Sequence, residues 1–96
     1  MIVRVLKIKI HIPWSHSLKE KRMVVKSICA KVRNKFNVSI SEVEKQDMQQ
    51  IIVLGISFVT TDHSQADSIA DHVINFIDSS TEGDIISIEK EEQYST

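Results

Sequence analysis

The chain has 96 residues, enough for one domain and too few for two. Hydrophobic residues make up 42%, enough for a core, whereas one Cys and two Gly exclude a disulfide scaffold and a collagen-like chain. No apolar run approaches the roughly 20 residues that span a bilayer, so we expect a small cytoplasmic protein without a membrane partner.

The net charge of −1 conceals an uneven distribution along the chain. Residues 1–40 carry a charge of +9, and residues 41–96 carry −10. A strongly basic segment favours a polyanion partner such as RNA. The alternative is that the two halves neutralise each other when they fold together, because exposed charge pairs are common.

The first half of the chain predicts a strand, a helix and a second strand. Hydrophobic residues alternate over residues 1–12, as in a strand. Ser17 with Glu20 three positions later is a capping box, which predicts a helix from about residue 17 to residue 36. Its apolar side contains Leu18, Val25, Ile28, Cys29, Val32 and Phe36. A strand at residues 37–44 follows, in which Val43 breaks the alternation and predicts a bulge or an early end.

The second half predicts a third strand, a second helix and a last strand. Residues 48–60 alternate again. Ser64, with Asp67 three positions later, predicts the cap of a helix over residues 65–79. Residues 85–90 form a short final strand, and we expect the polar tail, residues 91–96, to be frayed.

This β-α-β-β-α-β order predicts a single ferredoxin-like domain of the α+β class, with a four-stranded antiparallel sheet. Both crossovers should be right-handed, which places the two helices on the same face of the sheet and leaves the other face open. From the alternation, the open face carries the following residues: Val3, Val5, Lys7, Lys9, His11, Ile51, Val53, Val59 and Ile85.

Several blocks of the sequence carry a family resemblance. His11-Ile12-Pro13, residues 15–22 with Ser-Leu-Lys-Glu-Lys-Arg, and Arg-Asn-Lys-Phe-Asn-Val-Ser at residues 33–39 resemble the YlxP-like family of small bacterial proteins. Glu42-Val43, Gln46-Asp47 and Leu54-Gly55 extend the resemblance over most of the chain. It implies a ferredoxin-like fold of uncharacterised function, in an RNA or ribosome setting, because the family's genes often lie among translation and ribosome-maturation genes. Trp14 and Met48-Gln49 depart from the family pattern, in which a small or polar residue and an apolar–Trp pair are usual.

The first helix carries a stripe of cations. Lys19, Arg22, Lys26 and Arg33 fall within a narrow arc that contains no carboxylate, whereas solvated helix faces usually mix both signs. This pattern predicts contacts to RNA phosphates that position the backbone without reading its sequence. The candidate nucleic-acid-binding residues are Lys7, Lys9, Trp14, Lys19, Lys21, Arg22, Lys26 and Arg33.

The open sheet face suggests a different partner. Its positions on the first and third strands carry no aromatic residue, so we do not expect the base stacking of an RNA-recognition motif. Its aliphatic residues predict a homodimer interface instead, formed by Val3, Val5, Ile51, Val53 and Val59. Trp14 precedes the cations of the first helical turn, so it could stack a base, or it could cover the seam between helix and sheet. We favour the second role.

No residue pattern predicts catalysis. The four His residues lack zinc-site spacing, and Cys29 fits a core position better than a nucleophile. We therefore expect no metal, no cofactor and no enzymatic activity. The leading hypothesis is a non-enzymatic RNA- or ribosome-associated binding protein. The alternative is a homo-oligomeric interaction module that does not bind nucleic acid.

Overall fold

Four antiparallel strands and two helices follow one another in the order β-α-β-β-α-β, in a computed structural model that describes residues 1–94. The elements are β1 (Ile2–His11), α1 (Leu18–Lys35), β2 (Ser39–Glu44), β3 (Ile51–Thr60), α2 (His63–Ser80) and β4 (Asp84–Tyr94). The strands lie in the order β2-β3-β1-β4. This arrangement confirms the predicted α+β, ferredoxin-like class.

The core lies between the helices and one face of the two central strands. Alternate residues of β1 and β3 point to this face, as the hydrophobic period predicts. The buried strand residues include Ile2, Leu6, Ile8, Ile10, Ile52, Leu54, Ile56 and Phe58. From the helices, Ile28, Val32, Ala70 and Val73 pack into the same cluster.

Side-chain caps fix the start of both helices. Ser17 caps α1 as predicted, because its hydroxyl accepts from the Glu20 amide at 3.1 Å. The predicted Ser64 cap of α2 is wrong: Asp62 caps that helix and accepts from the Gln65 amide at 2.8 Å. Within residues 1–94, neither helix is long and apolar enough to cross a membrane.

Two bulges shape the sheet. The predicted irregularity at Val43 is confirmed, since the β2–β3 register shifts between Glu42 and Glu44. A second shift lies opposite Lys9 and Ile10, and it pairs Ile85 with Ile10. Ile85 therefore packs against the core, and its predicted place on the open face is wrong.

The last strand is longer than predicted. β4 continues beyond Lys90 to Tyr94 and stays paired with β1, so the expectation of a frayed tail is wrong for residues 91–94. Part of the reason is Arg4, which is buried and donates to Glu92 at 2.6 Å and to Asp67 at 2.9 Å. These bonds hold the end of β4 against β1 and α2. The final two residues of the predicted tail lie outside the described residues.

Candidate nucleic-acid interface

α1 presents cations on both its inner and its outer sides. Lys21 lies seven residues before Ile28, so the two residues share the side that faces the core. Lys19, Arg22 and Lys26 are exposed on the outer side. Of the predicted nucleic-acid contacts on α1, Lys19, Arg22 and Lys26 are therefore accessible to a partner, whereas Lys21 is buried.

Lys21 is a structural cation, and its predicted role as a nucleic-acid contact is wrong. Only 1% of its side chain is exposed. Its ammonium lies 2.8 Å from Glu42 Oε2 and donates to the carbonyl of Lys45 at 2.6 Å. Lys45 has a φ of 54° in the turn between β2 and β3, where its carbonyl also accepts from Met48. Lys21 thus joins α1 to that turn.

The stripe on the outer side remains available to a partner. Lys19, Arg22 and Lys26 are exposed and form no ion pair with any carboxylate of residues 1–94. Arg33, also in the predicted stripe, donates to the Ile40 carbonyl at 2.7 Å. This bond ties the C-terminal part of α1 to β2, so Arg33 is less available to a partner than the other three cations.

Charge is separated across the molecule as well as along the sequence. α1 carries a net charge of +6, and α2 together with β4 carries −6. α1 packs nearest β2, whereas α2 packs over β1 and β3, and β4 is the opposite edge of the sheet from β2. α1 and α2 also touch, so the acidic region approaches α1 at the groove that Glu82 and Met23 line, while Lys19, Arg22 and Lys26 keep no carboxylate partner within residues 1–94.

The cations of the open sheet face differ from those of the helix. Lys7 lies 2.5 Å from Glu44 and 3.6 Å from Glu89. Its hydrogen bond with Glu44 raises the pKa of Lys7 and lowers the pKa of Glu44. Lys9 is half-buried beside Glu44 in the register of the sheet, opposite Val53. The acidic half thus neutralises Lys7, as the alternative interpretation of the charge predicts for this face.

The aliphatic residues of the open face are less exposed than predicted. Val53 is fully buried within the single chain, so it is not an accessible interface residue. Its cross-strand neighbours are Lys9 and Glu44, long side chains whose stems can cover a valine. Val59 is 62% exposed and Val5 37% exposed. Val3 and Ile51 are half-buried, and the apolar surface is concentrated near the start of β1.

Trp14 stands beside the outer stripe. It is 40% exposed and lines an open groove of about 310 Å³ together with Met23 and Ile28 of α1 and with residues 80–82 at the end of α2. The groove lies between α1 and the residues at the end of α2, and the Trp14 side chain forms part of its wall. An aromatic face beside cations is an arrangement that can bind nucleic acid.

Reactive groups are few in the described part of the chain. Cys29 is buried, and burial raises the pKa of its thiol, which suits a core residue. No cluster of three His, Cys, Asp or Glu side chains within residues 1–94 is arranged to hold a metal ion. Two acids near the β2–β3 turn, Glu42 and Glu44, pair with Lys21 and Lys7.

Comparisons with known proteins agree with the resemblance in the sequence. A family described as proteins of unknown function, DUF503, matches residues 3–90. The uncharacterised protein YlxP of Bacillus subtilis (strain 168) is 49% identical over 63 residues, which are 66% of this chain and 68% of the relative. The de novo designed protein Foldit4 has a TM-score of 0.52 at 12% identity, with coverage of 99% of this chain and 98% of its own. This last likeness concerns the fold alone.

Proposed function

The chain belongs to the DUF503 family, and we propose that it is a non-enzymatic protein that binds the phosphate backbone of RNA. One observation carries the proposal. Lys19, Arg22 and Lys26 are exposed on one side of α1 and have no carboxylate partner within residues 1–94, although the chain has 13 carboxylates. The fold itself accounts for a cation that is paired with a carboxylate, but unpaired cations grouped on one surface are typical of a polyanion site.

The spacing of the stripe suits a nucleic-acid strand. Lys19 and Lys26 are two helical turns apart, which is roughly 10 Å along the axis, and Arg22 lies between them. Contacts of this kind position a backbone and release counterions without selecting a sequence. A structured cytoplasmic RNA or a ribosomal particle is therefore the proposed partner, in keeping with the setting that the family resemblance implies.

The salt dependence of binding tests this proposal. If three phosphates are neutralised, the logarithm of the affinity for an RNA hairpin should fall against the logarithm of the salt concentration with a slope between roughly −2 and −3. Replacing Lys19, Arg22 and Lys26 with Gln should remove most of that slope. Fluorescence anisotropy between about 50 and about 200 mM salt measures both effects.

A matched variant separates the stripe from overall charge. Lys31, Lys35 and Lys90 are also exposed cations, and their replacement with Gln removes the same net charge from other surfaces. We expect this control to keep most of the affinity and nearly the whole slope. An equal loss in both variants, or unchanged binding by the stripe variant, would contradict the proposed site.

Self-association through the open sheet face is the second candidate. The exposed Val5 and Val59 favour it, with Val3 beside them, because apolar surface left in water forgoes stabilisation. The proposed interface is smaller than the sequence predicted, since Val53 is already buried. Sedimentation velocity at high micromolar concentration should show a dimer that Val59→Asp converts to a monomer. A monomeric parent protein under those conditions would exclude this candidate.

A further inference from the structure

We propose that the groove beside Trp14 holds an unpaired nucleobase of the RNA whose phosphates contact the α1 stripe. This inference rests on the proposed function and deepens it, because it specifies RNA with accessible single-stranded bases as the ligand. A groove of about 310 Å³ lies at the lower end of the size range of small-molecule sites. It is open to water on one side, so a base attached to a strand can enter it.

The loop that carries Trp14 is held in one conformation. The Gln50 side chain donates to the carbonyls of Pro13 and Ser15 at 3.1 and 3.3 Å, and the amide of Ser15 donates to the Ile12 carbonyl. Ser15 is fully buried. Trp14 itself remains 40% exposed at the tip of this braced loop. An aromatic side chain on a fixed loop loses little conformational freedom when a planar ligand stacks on it.

The groove and the stripe form one continuous surface. Met23 lines the groove and is 66% exposed. It lies four residues after Lys19 and three residues before Lys26, so both cations are its neighbours on the surface of α1. A base that stacks between Trp14 and Met23 would therefore leave its flanking phosphates beside cations that have no carboxylate partner within residues 1–94.

We expect Glu82 to favour a base over a phosphate in the groove. Glu82 is exposed and lines the groove at the end of α2, so its negative charge would repel a phosphate there. The same carboxylate can accept a hydrogen bond from the exocyclic amino group of a base such as cytosine. Cations on the outer side of α1 and the negative charge of Glu82 at the groove thus favour a nucleotide with its phosphate outward and its base inward.

Trp14 is the only Trp of the chain, so tryptophan emission reports on the groove directly. The probe is a single-stranded cytidine oligoribonucleotide of about eight nucleotides, compared with the same strand in a duplex. The single strand should quench the emission of Trp14, and the duplex should bind with little quenching. Trp14→Ala should weaken the single strand about fivefold or more, and Trp14→Phe should restore most of that loss.

The outcomes separate the two proposals. The stripe variant, with Gln at positions 19, 22 and 26, should weaken single strand and duplex alike, whereas Trp14→Ala should weaken the single strand alone at an unchanged salt slope. If the salt slope is present but Trp14→Ala binds like the parent and the emission does not change, the groove is not a base site and the phosphate site stands. If neither RNA binds, both proposals fail. Emission that shifts with protein concentration in the absence of RNA would assign the groove to a second copy of the chain and overturn the inference.

Discussion

Two buried cations lie on the helix-covered face of the sheet, one near each edge, and they differ in how much water reaches their partners. Lys21 joins α1 to β2 and its turn, with 1% of its own side chain and 15% of Glu42 exposed. Arg4 joins β1 to β4 and α2, with 8% of its side chain exposed, but 27% of Glu92 and 69% of Asp67. The same type of interaction is therefore an interior contact in one region and a boundary contact in the other. We expect unequal energetic consequences, since burial determines what an unpaired charge costs.

The largest effect should follow from Lys21→Met. The substitution leaves the Glu42 carboxylate unpaired in a mostly buried site and removes the donor to the Lys45 carbonyl, so we expect a loss of about 3 kcal/mol in the free energy of unfolding. This is the low end of the usual range because Glu42 keeps some contact with water. Urea denaturation measures the change. Lys26→Met, at an exposed position of the same helix, is the matched control and should unfold like the parent.

A double variant tests whether the charge left behind causes the loss. Lys21→Met with Glu42→Leu removes both charges and should recover most of the stability, because an apolar pair can replace a buried ion pair. If the double variant is as unstable as Lys21→Met alone, the hydrogen bond to the turn matters more than the ion pair.

A smaller effect should follow from Arg4→Met. Asp67 can return to water when Arg4 is lost, and Glu92 keeps its contact with His63 at 2.7 Å, so we expect a loss of about 1–2 kcal/mol. The change should be concentrated at the end of β4, where hydrogen exchange of the amides of residues 91–94 should accelerate. Lys90→Met on the same strand is the control. A loss as large as that of Lys21→Met would show that the boundary site is as dry as the interior one.

The acid dependence of stability sharpens the Arg4 prediction. The hydrogen bond from Arg4 lowers the pKa of Glu92 below its usual value of about 4.5. A carboxyl group whose pKa is lowered in the folded state stabilises the fold at pH values above its ordinary pKa. This contribution is lost as the pH falls through the pKa of the folded state. The parent protein should therefore lose stability below about pH 4.5 more steeply than Arg4→Met. Parallel curves for the two proteins would contradict the assigned pair.

Local sequence patterns were sufficient to predict the helices and strands and their order. The Ser17 cap, the alternation in β1 and β3 and the broken alternation at Val43 are each visible within a few residues. Local patterns also misled at α2. Ser64 with Asp67 resembles a capping box, but Asp62 stands at the position where the chain leaves its extended conformation and accepts from an amide of the first turn.

Contacts between distant residues were beyond the sequence. Arg4 and Glu92 are 88 positions apart, and nothing in the polar stretch after Lys90 indicates that it pairs with β1. Lys21 differs from Arg4, because the sequence contains a sign that this residue is buried. Lys21 lies on the same side of the helix as Ile28, and a charged residue at such a position requires a buried partner. What the helical pattern could not supply was the identity of Glu42.

The hydrogen bond from Arg33 to the Ile40 carbonyl has a consequence for solubility. β2 is an edge strand, and its outward carbonyls are acceptors that a strand from another molecule could use to extend the sheet. Arg33 occupies one of these acceptors and places a positive charge beside it. At the opposite edge, β4 presents Glu89, Lys90, Glu91 and Glu92 in succession, a run of charge that also opposes strand addition. A short chain with two open sheet edges is thereby protected against aggregation through those edges.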